Sequence, residues 1–228
     1  MKYEWKKQDK SLYLPSTEPA VVKVPAFPAF MLKGEGNPNS AAFAEAVGLL
    51  YSLSYAVKMS PKTTPQIEGL QGADSGTLRG PRKKAAAPAD YYEYTIFPLE
   101  GIWDLNEQGR AKAFLDKDDL VYTLMIRQPD FVTPLFAAEI MENSARIKPH
   151  PLNGQAAFGR SEDGLCVQMM HIGPYDTEAA SFARMEQYCR EQGLRRLSLT
   201  HREIYISDAR RTAPDKLKTV LRFQVARL

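Results

Sequence analysis

The stretch GLCVQMMHIGPYDTEAASFARMEQYCREQGLRRLSLTHREIYIS, residues 164–207, holds the pattern on which the fold turns. It begins with an apolar run, Gly164 to Ile172, that reads as a strand. Thr177 to Gln192 reads as a helix. It is closed by Gly193, a residue free to take the left-handed conformation that commonly ends helices. Two more strands are expected beyond it, Leu197 to Ser207 and Thr219 to Arg227. The order is strand, helix, strand, strand.

Upstream, the same order recurs. PAVVKVPAFPAFMLK, residues 19–33, is β-branched and aromatic but broken by prolines, which predicts an edge strand or a bulge. A turn over Gly34 to Asn39 leads to Ser40, a good cap for a helix running to about Lys58. On that helix Phe43, Val47, Leu50 and Ser54 share one side, and Tyr51 and Tyr55 stack on a neighbouring stripe. Ser60 to Asp90, rich in proline, glycine and lysine and without a sustained period, reads as an insertion loop. Strands are then expected over YYEYTIFPLEG, residues 91–101, and from Asp119 to Gln128. Between the halves, Thr133 followed by Pro134 predicts a helix that ends before Pro149. The chain therefore reads as one α+β domain over residues 1–228. Its first half is about 19–128 with the insertion 60–90, its linking helix about 133–148, and its second half about 163–228. A short echo links the halves: Gly34 precedes Phe43 and Ala44 by the interval that separates Gly173 from Phe182 and Ala183. With the insertion allowed for, Glu100 of FPLEGIW falls opposite Glu203 of THREIY.

Strand alternation sorts the candidate site residues. Leu199, His201, Glu203 and Tyr205 should point one way, and Thr200, Arg202, Ile204 and Ile206 the other. A face bearing His, Glu and Tyr is either a solvated face with a cross-strand ion pair or the lining of a cavity. In the second reading Glu100 and Glu203 are the acid–base candidates, walled by Tyr51, Tyr55, Trp103, Tyr175 and Tyr205. Carboxylates in such a pocket tend towards raised pKa values, because desolvation disfavours the charged form. His171, in the strand ahead of Tyr175, joins the ligand-binding candidates.

Several chemistries find no support. GEGNPN, residues 34–39, lacks the third glycine of a dinucleotide loop and reads as a turn. His150, His171 and His201 lie far apart with no HxxH or CxxC pairing, so no metal is expected, and no cofactor motif appears. No GxSxG elbow and no cysteine with a nearby base argue for a nucleophilic hydrolase. A net charge of +3 with scattered basic residues does not point to nucleic acid, and RGPRKK, residues 79–84, reads as a solvated run on a loop. Cys166 and Cys189 read as small core residues, not a disulfide. No apolar run reaches the length of a membrane helix and the start is charged throughout, so a cytoplasmic location is expected.

Four segments resemble the stand-alone GyrI-like proteins. These proteins are relatives of the drug-binding domains of bacterial multidrug-sensing transcription activators and of the DNA gyrase inhibitory protein. The segments are KGEGNPNSAAFAEAVGLLYSLSYAVK (33–58), YTIFPLEGIWDL (94–105), MHIGPYDTE (170–178) and HREIYISDARRTAPDKLKTVLR (201–222). The resemblance implies a duplicated βαββ module with pseudo-two-fold symmetry, an antiparallel sheet plus helices, and a central ligand cleft between the halves. It implies a hydrophobic, aromatic small-molecule ligand, cationic ones included, bound for sequestration or detoxification, with Glu203 as the buried glutamate that meets the cation. It also implies two alternatives. One is a hydrolase that opens the cyclopropane ring of DNA-alkylating compounds through Glu100 and Glu203. The other is a gyrase-inhibitor-like protein-interaction module. No nucleic-acid, membrane or protein partner is expected from the small-molecule reading.

Overall fold

A computed structural model describes residues 2–63 and 87–228, so most of the expected insertion loop 60–90, including all of RGPRKK, lies outside the described residues. In chain order the elements are α1 (Trp5–Gln8), α2 (Lys10–Tyr13), β1 (Ala20–Val24), β2 (Phe27–Glu35), α3 (Ala41–Met59), β3 (Leu99–Leu105), α4 (Glu107–Ala111) and β4 (Leu120–Arg127). Then follow α5 (Pro134–Ile147), β5 (Ala157–Ser161), β6 (Gly164–Ile172), α6 (Glu178–Glu191), β7 (Leu194–Arg196), β8 (His201–Tyr205) and β9 (Lys218–Arg227). The strands form one curled antiparallel sheet in the order β1-β6-β9-β8-β3-β4-β2-β5, with β7 added to β9. The α+β class expected from the sequence is the one observed; the first half runs β2, α3, β3, α4, β4 and the second β6, α6, β7, β8, β9.

The local signals act as their chemistry dictates. Ser40 Oγ accepts the Phe43 N–H at the start of α3, and Thr133 Oγ1 accepts the Phe136 N–H behind Pro134 in α5. Gly193 ends α6 at φ +62°, a conformation that costs glycine nothing. The segment 19–33 is not one edge strand: it breaks at Pro25 into β1, which is an edge, and β2, which pairs with both β4 and β5. The 91–101 strand is also shorter than expected. Residues before Leu99 are extended but make only the single bridge Tyr94–Tyr3, and the ladder runs Leu99 to Leu105.

Two helices and an N-terminal segment cover the two faces of the sheet. On one face α3 buries Ala46, Leu49, Leu50, Leu53 and Val57 against Leu32, Leu124 and Ile126. On the same face α6 buries Met185 and Cys189 against Val167, Met169, Leu221 and Phe223. Each large apolar side chain so covered contributes roughly 1.5–3 kcal/mol. The other face is closed by α1 and α2, with Trp5 and Tyr13 buried. β6 therefore has cover on both sides, which is why Cys166 through His171 are all buried. Both cysteines are free. Among the described residues no helix is long and apolar enough to cross a membrane.

Candidate functional site

The register of three neighbouring strands decides which side chains meet. Gly101 of β3 lies opposite Glu203 of β8, Trp103 opposite His201, and Glu100 opposite Ile204. Directly paired residues of an antiparallel ladder share a face. Gly101, Trp103, His201, Glu203 and Tyr205 therefore point to the helix-covered face, and Glu100 and Arg202 point to the other. Glu100 and Glu203 are not brought together.

On the N-terminal face Glu100 is fully buried and held by two donors. Arg202 Nη1 donates to its Oε2 at 2.8 Å and the Tyr13 hydroxyl to its Oε1 at 3.1 Å. The same guanidinium donates through Nη2 to Asp163 at 2.6 Å and Ser161 at 2.8 Å. Arg222 beside it donates to Gln168 and to the Leu12 carbonyl. This is a buried ion-pair network in which Arg202 Nε is the donor left without an acceptor among the described residues.

On the helix-covered face the arrangement is different. Trp103 Nε1 donates to the Tyr205 hydroxyl at 2.9 Å, and that hydroxyl donates to Glu203 Oε2 at 2.8 Å. His201 Nε2 lies 3.2 Å from Glu203 Oε1. The indole can lie back along β3 only because residue 101 is glycine: a Cβ there would stand 2.6 Å from Trp103 Nε1 and 3.3 Å from the Tyr205 oxygen. Phe43 of α3 stacks on Trp103 at 5.9 Å between centroids, and Tyr122 closes edge-on against Phe43 at 5.2 Å. From the opposite side Tyr175 sets its ring at 89° to Tyr205, 5.9 Å away, and Phe182 packs edge-on against His201 at 4.8 Å. Aromatic side chains from α3 and from the start of α6 thus flank Glu203.

A second carboxyl completes the site. Glu178, in the first turn of α6, is only 7% exposed and feels the Glu203 carboxylate. Burial first, then the Glu203 charge, pushes its carboxyl far above the ordinary range, to about 10; Asp176 adds to the shift. The helix N-terminus opposes this by about 0.3–1 kcal/mol, less than one pKa unit, so burial and the two acidic neighbours prevail. Burial and the neighbouring carboxylates therefore favour the protonated form of Glu178. Its Oε1 finds no donor among the described residues. Thr219 Oγ1, on the same face at the register position beside Tyr205, is also buried without a partner. Burial followed by the negative charge of Glu203 raises the Tyr205 and Tyr175 phenols too.

The other expected residues separate. Tyr51 is half-buried on α3 and packs with the core beside this site. Tyr55, one turn on, is 54% exposed. His171 is buried, with Nδ1 2.9 Å from Ser181 Oγ and Nε2 3.1 Å from the Pro174 carbonyl. A carbonyl only accepts, so Nε2 holds the proton and Nδ1 accepts from Ser181, which ties β6 to the start of α6. A separate open hollow of about 330 Å³ runs beside His171 between Thr17 and Arg184, and neither Glu178 nor Glu203 lines it. Trp103, at 4% exposure, is covered by its own aromatic neighbours. Among the described residues no cluster of three His, Cys, Asp or Glu side chains could hold a metal ion. Sequence reasoning missed Glu178, Phe43 and Tyr122 as site residues. The one available signal for Glu178 was its place in MHIGPYDTE.

Residues 84–226 match the GyrI-like small molecule binding domain. The chain belongs to the GyrI-like family. Two solved structures span nearly the whole GyrI-like chain. A hydrolase from Listeria innocua shares 30% identity over 98% of this chain and 100% of that one, with a TM-score of 0.80. An uncharacterized conserved protein from Listeria innocua shares 31% over 98% and 100%, with a TM-score of 0.81. The EcmrR C-terminal domain, at 13% identity over 95% and 99% with a TM-score of 0.50, shares the fold alone. No curated protein sequence matches. The GyrI-like domain is a small-molecule-binding domain, and the face bearing Glu203 is its candidate ligand cleft.

Proposed function

We propose that the cleft between α3 and α6 binds flat, hydrophobic, aromatic compounds, cationic ones included, and sequesters them. Trp103, Phe43, Tyr205 and Tyr175 would supply ring faces, and Tyr51 would lie at the border. Glu203 and Glu178 would meet the polar or positive end of the ligand. The observation that carries this reading is a pair of carboxyls, Glu178 buried and Glu203 half-buried, flanked by aromatic rings, with one Glu178 oxygen lacking a donor among the described residues. Ligand entry would displace Tyr175, the most exposed of these rings at 39%.

A second reading, hydrolysis of a strained ring, is favoured by the same pair and by the Listeria innocua relative named as a hydrolase. Glu203 would take a proton from water as the water oxygen bonds to a cyclopropane carbon. The ring C–C bond would break, its electrons passing into a conjugated carbonyl, and Glu178 would protonate that oxygen. Return of the proton from Glu203 to Glu178 would restore the pair, with one water added to the substrate. In this assignment Glu178 takes the role that the sequence gave to Glu100.

A mass-spectrometric time course separates the two. Catalytic amounts of protein are mixed with excess cyclopropane-bearing alkylator, and wild type runs beside Glu203→Gln and Glu178→Gln. Sequestration predicts a stoichiometric complex and no hydrated product. Many turnovers, lost in both variants, would replace it with hydrolysis. Neither complex nor product with the alkylator or with any flat aromatic cation would remove both readings.

A further inference from the structure

Thr219 stands where valine would fit. It is 1% exposed, near the start of β9, and most of the other buried positions of that strand carry Val220, Leu221, Phe223 and Val225. Its Oγ1 has no partner among the described residues. The register shows why its neighbours supply none. Thr219 pairs with Tyr205 on one side and with His171 on the other, so the three side chains stand in a row on the α6 face. The Tyr205 hydroxyl is committed to Trp103 and Glu203, and the two His171 nitrogens to Ser181 and the Pro174 carbonyl. The first turns of α6 cross this row: Ser181 sits 2.9 Å from His171, and Glu178 precedes it by one helical turn on the same side of the helix. Glu178 Oε1 is likewise buried without a donor among the described residues. Buried polar groups of folded proteins are nearly always paired, so two orphaned oxygens on one face of the site call for a function.

Resting on the ligand reading above, we infer that Thr219 is a specificity residue of the cleft, selecting flat aromatic ligands that carry an N–H or O–H donor on the ring edge. The Thr219 hydroxyl oxygen accepts from that donor. An aromatic amine brings a second hydrogen, which Glu178 Oε1 accepts. Access is through Tyr175, which lies edge-on against Tyr205 at 5.9 Å and is 39% exposed. A ligand without the donor gains only ring contacts and leaves both oxygens unpaired. The hydroxyl therefore weakens the free fold and strengthens the complex, the trade of stability for function expected at a binding site.

Calorimetric titration tests this with N-methylacridinium, a permanent flat cation, and acriflavinium, the same cation carrying a pair of aromatic amino groups. Wild type should bind acriflavinium about tenfold or more tightly than N-methylacridinium. Thr219→Val, which keeps the shape and removes the hydroxyl, should cut that ratio about fivefold or more, and Thr219→Ser should preserve it. Thermal unfolding supplies a readout that a structural hydroxyl would move the other way. Thr219→Val should melt about 2–4 °C above wild type, because it removes a buried unpaired oxygen. A Thr219→Val protein that melts below wild type and keeps the preference for acriflavinium would show that the hydroxyl is bonded within the fold, through an ordered water. That result would overturn the assignment and leave the ligand reading intact, as would equal affinity of wild type for the two compounds. If neither compound binds, the ligand reading falls and the assignment with it.

Discussion

Three glutamates, two buried and Glu203 half-buried, divide by the charge that faces them. Glu100 faces Arg202 and Tyr13, whereas Glu178 faces Glu203. Removing the Glu100 charge should leave Arg202 partly unbalanced, so Glu100→Ala should cost about 3–5 kcal/mol in urea unfolding. The fraction that remains folded should still bind cleft ligands. Glu178 gives the opposite sign. Its folded-state pKa is raised, so between the ordinary carboxyl value of 4.5 and about 10 the folded chain holds a proton that the unfolded chain has released. Stability should therefore fall as pH rises through that window. Glu178→Gln should remove this slope and unfold at higher denaturant than wild type at pH 8. An unchanged slope in the variant would contradict the assignment. Glu203 was legible because alternation in HREIY puts an acid and two polar rings on one face. Glu178 was not, because an acid in a helix's first turn is ordinary, and only tertiary burial makes it unusual.

At the scale of elements, β3 and its register decide the site. The echo between the halves set Glu100 against Glu203, but the ladder sets Gly101 there. A slip of one residue on a strand moves every side chain to the other face, so the equivalence sent Glu100 to the wrong side. The pairing partner of β3 is β8, far along the chain, and no local pattern in FPLEGIW reveals it. Capping residues were legible because Ser40 and Thr133 act within their own turn. The role of Gly101 gives a direct test. A methyl group there meets the Trp103 indole at 2.6 Å, so Gly101→Ala should cost roughly 1–3 kcal/mol in thermal unfolding. It should also change the near-ultraviolet dichroism of Trp103 and weaken ligand binding, whereas Gly48→Ala, where nothing lies within 4 Å, should do neither.

For the molecule as a whole, one face of the sheet holds the buried ion-pair network and the other bears the proposed ligand site. The N-terminal segment closes the charged side: Trp5 Nε1 donates to the Ile96 carbonyl, and Leu12 and Ser11 offer carbonyls to Arg222 and Gln168. MKYEWKKQDK reads as charged throughout; only Trp5 marks the contact, and one aromatic residue sets no period. This division makes the two tryptophans reporters of opposite faces, Trp5 on the charged side and Trp103 in the cleft. The most direct test of the account is fluorescence titration of Trp5→Phe protein, where Trp103 is the sole indole, with N-methylacridinium. Saturable quenching of Trp103, weakened at least tenfold by Glu203→Gln, is the predicted result. Binding that leaves Trp103 unquenched, or quenching that Glu203→Gln does not change, would show that the ligand sits elsewhere and contradict the account.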